Sequence, residues 1–142
     1  MARRIVLLLL AAAFLATAPG CKAAPGGVAS IEGTWGIARA ELGGKQLPLA
    51  VFENGTLRLT AGKYEFQKDI GDYSVTAGTH PTAIDVMGRQ GPNAGKTIPA
   101  IFRLQADTLT ICYDLSCKAR PKDFKTEAGT QLFLVRYIRS AP

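Results

Sequence analysis

Few side chains in this sequence have the types and spacing that catalysis or metal binding requires. The chain has a single histidine, His80, which precedes Pro81 and so belongs to an extended connection. One histidine without a cysteine or carboxylate cluster cannot supply the usual zinc ligands. Asp85 has no second carboxylate at the spacing of an acid–base pair, and no Gly-x-Ser-x-Gly motif provides a nucleophile. We therefore predict no enzyme activity, no catalytic residue, no metal site and no cofactor.

One loop resembles the end of a phosphate-binding loop but has the wrong spacing. Residues 91–97 read Gly-Pro-Asn-Ala-Gly-Lys-Thr, with three residues between the glycines. A phosphate loop needs four residues there and a helix directly after it, whereas a strand pattern follows in this chain. We interpret the segment as a hairpin loop.

The cysteine with the most informative surroundings is Cys21, because the residues before it resemble a secretory signal. A basic start at residues 1–4 precedes an uncharged apolar run at 5–17, and Ala18-Pro-Gly20 leads into the cysteine. This order predicts a signal peptide over residues 1–20, since the apolar run is too short to span a bilayer. Cysteine at the cut point is typical of bacterial lipoproteins, which predicts lipid attachment at Cys21 and a membrane anchor in the cell envelope, on the outer membrane or facing the periplasm. Ordinary secretion, with Cys21 a leftover thiol, is the alternative.

The remaining cysteines, Cys112 and Cys117, are predicted to form a disulfide. In an oxidising compartment an even pair is most simply bridged. Four residues separate the two, which suits a bridge across a hairpin mouth, where Cβ atoms approach within about 3.5–4.5 Å. Leu109 and Ile111 are the apolar, inward positions of this strand, and Cys112 lies on the opposite face with Thr108 and Thr110. Its side chain is therefore expected to point outward, away from the core.

Composition and patterning predict one all-β domain. The 142 residues carry a formal net charge of +6, but the basic residues are scattered and predict no nucleic-acid partner. Residues 21–30 form a flexible small-residue tether, and residues 31–139 form the domain. A short helix is possible only at 49–53. Period-2 alternation with turn residues between predicts eight strands, at 33–40, 56–60, 63–68, 72–77, 82–87, 97–105, 108–113 and 131–138.

Neighbouring strands joined by tight turns favour an antiparallel up-and-down meander, which removes its free edges by closing into a small barrel. A barrel of eight strands is either packed solid or holds one small ligand. The alternation predicts which side chains face its interior. The candidate ligand-binding residues are Tyr64, Phe66, Tyr73, Phe102, Leu104 and Ile111.

Several short motifs occur in an order that resembles a known family. They are Gly33-Thr-Trp35, Pro81-Thr-Ala-Ile-Asp85, Gly91 to Lys96, Leu109-Thr-Ile-Cys112 and Arg120-Pro-Lys-Asp-Phe124. Together they are similar to the bacterial lipocalin-like domain abundant in planctomycetes, with the patterns GTW, P-x-x-ID, G-x-x-x-G-K, L-x-L-C and RP-x-x-F. The resemblance covers nearly all of residues 31–139.

The resemblance implies a lipocalin-like barrel and no reaction. By similarity to lipocalins, Trp35 closes one barrel end, and an arginine of the last strand, Arg136 or Arg139, lies over its ring. Two functions remain open. The barrel binds a small apolar ligand, or it is a solid-core module for protein contacts in the envelope. The volume of the barrel interior distinguishes them, because pockets typically measure about 300 Å³ or more.

Overall fold

The structure, a computed structural model, describes residues 28–141. The predicted signal peptide, Cys21 and most of the tether lie outside these described residues. Within 28–141, no helix is long and apolar enough to cross a membrane.

The described chain forms nine antiparallel strands in one sheet, which confirms the prediction of an all-β barrel. A 3-10 helix at Leu49–Phe52 occupies the one segment where a short helix was considered. The strands are β1 (Gly33–Leu42), β2 (Lys45–Leu47), β3 (Thr56–Thr60), β4 (Lys63–Phe66), β5 (Asp69–Thr76), β6 (Thr82–Gln90), β7 (Thr97–Gln105), β8 (Thr108–Asp114) and β9 (Leu132–Arg139).

The sheet closes because β1 is long enough to pair on both sides. Its first residues pair with β3, and the stretch from Trp35 to Leu42 pairs with β9. A register shift between Ile37 and Arg39 bends the strand where its partners change. The closed barrel therefore has eight strands, and β2 is an additional short strand on the end of β1.

One end of the barrel is filled with side chains around Trp35. Its indole is fully buried, and its Nε1 donates a hydrogen bond to the Ile31 carbonyl at 2.9 Å. The guanidinium carbon of Arg139 lies 4.2 Å from the ring centroid, which is cation–π geometry. Arg136, the other arginine considered, is exposed on the outer face of β9, since strand alternation turns its side chain away from the ring.

The long connection between β8 and β9, residues 115–131, lies along the outer wall as a strap. Arg120 fixes it to β6 and β7: its guanidinium contacts the Asp85 carboxylate at 2.7 Å and the Ile84 and Ala100 carbonyls at 3.0 and 2.8 Å. Further along the strap, the Arg103 guanidinium lies 4.7 Å from the Phe124 ring centroid. Asp85 is thus an anchor for the strap.

The beginning of the strap is organised by Asp114, at the end of β8. Its carboxylate accepts hydrogen bonds from the backbone of Ser116, Lys118 and Ala119 at 2.8–3.1 Å. Burial acts to raise the pKa of Asp114, but these hydrogen bonds and one from the Ser116 hydroxyl outweigh it, so the pKa is lowered. The carboxylate therefore remains charged and holds the turn.

The predicted disulfide is wrong, because the strap places the two cysteines apart. The residues after Cys112 enter the strap instead of turning back as a hairpin, and β8 pairs there with Leu134 of β9. Cys112 points out of the barrel interior as expected from the alternation, but the strap covers it, and its Sγ lies 3.9 Å from the Lys125 carbonyl. Cys117 is exposed, and both thiols are free. Burial raises the pKa of the Cys112 thiol to about 11.

Candidate functional site

The end of the barrel opposite Trp35 opens into a cavity of about 670 Å³. Its deeper wall is aliphatic and aromatic. The side chains on this wall come from all eight barrel strands and are Ile37, Leu57, Leu59, Tyr64, Tyr73, Ile84, Val86, Ile98, Ile111 and Tyr137. The cavity is therefore a largely apolar space inside the barrel.

Two glycines on the inner wall shape this space. Gly71 of β5 and Gly88 of β6 are paired across the strands, and both are buried. A Cβ on Gly71 would lie 2.6 Å from the Tyr64 ring, and a Cβ on Gly88 would lie 1.9 Å from the Asn93 carbonyl oxygen. The missing side chains therefore allow the Tyr64 ring and the β6–β7 loop to approach the wall.

Aromatic rings frame the entrance. The 3-10 helix brings Phe52 to the mouth, where its ring centroid lies 6.4 Å from that of Phe66 and 6.2 Å from that of Phe133. The Tyr113 ring stacks on Phe133 at 5.9 Å. Gln67 fixes the helix by donating a hydrogen bond from Nε2 to the Phe52 carbonyl at 2.6 Å. These rings therefore form the rim of the opening.

A carboxylate also lies at the entrance. Asp69, the first residue of β5, accepts hydrogen bonds from the Tyr64 hydroxyl at 3.2 Å and from Asn93 Nδ2 at 2.6 Å. Burial, followed by the charge and hydrogen bond of Asp69, raises the pKa of the Tyr64 hydroxyl well above its usual range. These contacts hold the β6–β7 loop at the mouth, and they occupy both oxygens of Asp69.

Deeper inside, two tyrosine hydroxyls meet. The Tyr113 and Tyr137 oxygens lie 3.1 Å apart and form a hydrogen bond. Burial is the main reason that the pKa of Tyr113 is raised well above its usual value, with Tyr137 adding to the shift. Burial likewise raises the pKa of Tyr137 to about 12, against an opposing effect of the hydrogen bond with Tyr113. Both phenols therefore keep their protons at neutral pH.

The structure brings four of the six candidate interior residues to the cavity. Tyr64, Phe66, Tyr73 and Ile111 line it. Phe102 and Leu104 belong to the packed core instead.

The position of Phe102 and Leu104 follows from the register. They pair with Ile111 and Leu109, which places them progressively nearer the filled end of the barrel.

The prediction missed the tyrosine pair, the mouth ring of Phe52 and Phe133, and Asp69. The sequence does indicate that Tyr113 points inward, because it continues the inward alternation of Leu109 and Ile111. Tyr137 lies two residues after the inward Val135, so the alternation places it on the inner face as well. Their contact with each other depends on the pairing of β8 with β9, which alternation alone does not specify.

The chain was compared with protein-family models, with curated proteins and with solved structures, and none of the three comparisons gave a match. Across residues 28–141, histidine, cysteine and acidic side chains form no group of three or more that could hold a metal ion.

Proposed function

We propose that this chain is an exported, lipid-anchored envelope protein whose barrel binds a small, largely apolar ligand. The observation that carries the proposal is the cavity of about 670 Å³, open at one end and lined mainly by aliphatic and aromatic side chains. Ligand pockets are typically about 300–1,000 Å³ and mostly apolar, with a few placed polar groups. A solid-core module for protein contacts would not need this space.

The affinity of such a ligand would come chiefly from buried apolar area. A ligand that buries about 300 Å² of apolar surface gains roughly 7.5 kcal/mol at 25 cal/mol per Å², before the costs of association. The aromatic rings at the mouth and the filled end around Trp35 limit its length. This supports one small molecule for each barrel.

The proposal of export and anchoring is supported by the N-terminal sequence. The basic start, the short apolar run and Cys21 after Gly20 form the lipoprotein-type arrangement. A single acyl chain binds membranes only marginally, so stable anchoring needs more than one chain. The lipocalin-like resemblance of the motifs after residue 31 is compatible with a ligand-binding barrel at the membrane surface.

Nile red, a neutral apolar dye, tests the binding proposal. Titrated into the full-length protein, it is expected to saturate at one dye per chain with a dissociation constant on the order of 1 µM, equivalent to about −8 kcal/mol. Native mass spectrometry of freshly extracted protein should also detect a co-purifying small molecule. If the dye does not saturate and no molecule co-purifies, the solid-core contact module replaces this proposal.

Lipid attachment is tested separately by Cys21→Ser. In the native bacterial host, the wild type is expected to enter the detergent phase on Triton X-114 partitioning, and C21S is expected to move to the aqueous phase because it lacks the acyl chains. Cys117→Ser is the matched control, since it removes an exposed thiol of the barrel domain and should leave partitioning unchanged. Equal partitioning of wild type and C21S would exclude lipidation at this residue.

A further inference from the structure

The tyrosine pair brings together two side chains that start far apart on the cavity wall. In the pairing of β8 with β9, Tyr137 lies opposite Leu109 and Tyr113 lies opposite Phe133. Four residue positions therefore separate the two tyrosines along the sheet, which is about 13 Å of strand. The 3.1 Å contact between their oxygens means that both side chains lean toward each other along the inner wall.

The pair has more hydrogens to donate than it uses. Each phenol carries one donor hydrogen and accepts further hydrogen bonds. The contact between Tyr113 and Tyr137 uses one hydrogen, whichever oxygen donates. Among the described residues, neither hydroxyl has another hydrogen-bond partner. One O–H donor is therefore left beside a largely apolar part of the cavity, and a polar group without a partner in such a place is costly.

We propose that the Tyr113–Tyr137 pair donates this remaining hydrogen to a neutral acceptor oxygen of the ligand, so that the barrel selects apolar molecules that carry a ketone or ester carbonyl. This inference rests on the proposed function, since it assigns the chemistry of the molecule that fills the same cavity. The carbonyl would lie at middle depth, where the two hydroxyls meet, and the apolar parts would contact the surrounding wall.

The charges around the cavity favour a neutral oxygen over a carboxylate. Among residues 28–141, Lys68 is the only cationic side chain that lines it, and this residue is exposed at the mouth. Two acidic side chains, Glu53 and Asp69, also line the cavity, and Asp69 accepts a hydrogen bond from the Tyr64 hydroxyl. A ligand carboxylate at the pair would therefore be desolvated without a cationic partner, which is costly.

Three probes of similar size distinguish a ligand with no oxygen, one with a neutral carbonyl and one with a carboxylate. They are pentylbenzene, valerophenone and the phenylpentanoate anion. Each is titrated by displacement of Nile red from the full-length protein. The double variant Tyr113→Phe/Tyr137→Phe removes both donor hydrogens and keeps both rings. It is expected to weaken valerophenone binding about five- to tenfold, the usual effect of one hydrogen bond, and to leave pentylbenzene within about twofold.

Thr97→Val is the control, because it also removes a hydroxyl, but from the exposed outer face of β7 and not from the cavity wall. It should leave the ratio of the valerophenone and pentylbenzene affinities as in the wild type. In the wild type alone, valerophenone is expected to bind at least about tenfold more tightly than phenylpentanoate.

The outcomes distinguish this inference from the proposed function. If the double variant binds valerophenone as the wild type does, or if the wild type binds the anion as tightly as the ketone, the assignment to the tyrosine pair is wrong while the binding barrel stands. If Nile red and all three probes fail to bind the wild type, the proposed function fails and this inference fails with it.

Discussion

Replacing Trp35 by alanine is expected to lower the free energy of unfolding by about 4 kcal/mol, the usual range for a buried large aromatic residue being about 3–5 kcal/mol. The ring is fully buried at the filled end of the barrel. Its removal leaves a void there, orphans the Ile31 carbonyl that accepts from Nε1, and removes the surface on which Arg139 lies. Urea unfolding followed by circular dichroism measures the change.

Two further variants show how much of the loss in unfolding free energy comes from the indole ring and how much is specific to this position. Trp35→Phe keeps a large ring and loses the indole N–H, so its loss should be clearly smaller than that of W35A. Arg136→Ala is the matched control on β9, because its side chain is exposed, and it should change the free energy of unfolding by less than about 0.5 kcal/mol. A loss of less than about 1.5 kcal/mol for W35A would contradict the role assigned to the filled end.

Val86→Asp is expected to raise the dissociation constant for Nile red about 10- to 100-fold. Val86 lines the cavity and is only half-buried, so water can solvate the new carboxylate while the cavity is empty. An apolar ligand would remove that water, and burying a polar group without a partner costs about 1–3 kcal/mol. The substitution therefore penalises the occupied barrel far more than the empty one.

The control for this variant is Thr97→Asp. Thr97 lies on β7 opposite Met87 and is exposed on the outer face. The substitution therefore adds the same charge as V86D without facing the cavity. Its Nile red affinity should match that of the wild type within about twofold, since a surface charge is well solvated. Circular dichroism confirms that both variants are folded. An unchanged affinity for folded V86D would place the dye outside the barrel.

Alternation and turn residues predicted the barrel because both are local properties of the sequence. The inward positions of Tyr64 and Ile111 follow from the period of two alone. Depth within the barrel is not local, since it depends on register, and Phe102 was therefore assigned to the ligand site although it packs at the filled end. The three residues of β2 carry too little pattern to be recognised as a strand.

The disulfide prediction was wrong, and the tyrosine contact was not predicted, for a related reason. A hairpin after Cys112 was a reasonable expectation from spacing, but the carboxylate of Asp114 turns the chain into the strap through hydrogen bonds to the backbone. Tyr113 and Tyr137 are separated by 24 positions in sequence, and only the register of β8 with β9 brings their hydroxyls together. The sequence alternation identifies which side chains point inward. It does not identify which inward side chains from distant strands contact each other, and those contacts form the site.

The pairing of β1 with β9 has a consequence for folding. The seam joins the first strand of the barrel to its last, so its contacts have the largest sequence separation in the domain and form at the highest cost in chain entropy. Until β9 docks, β1 and β8 each present an unpaired edge that another chain can extend. The last strand therefore protects the domain from aggregation, and a chain truncated before residue 132 would be expected to associate through those two edges.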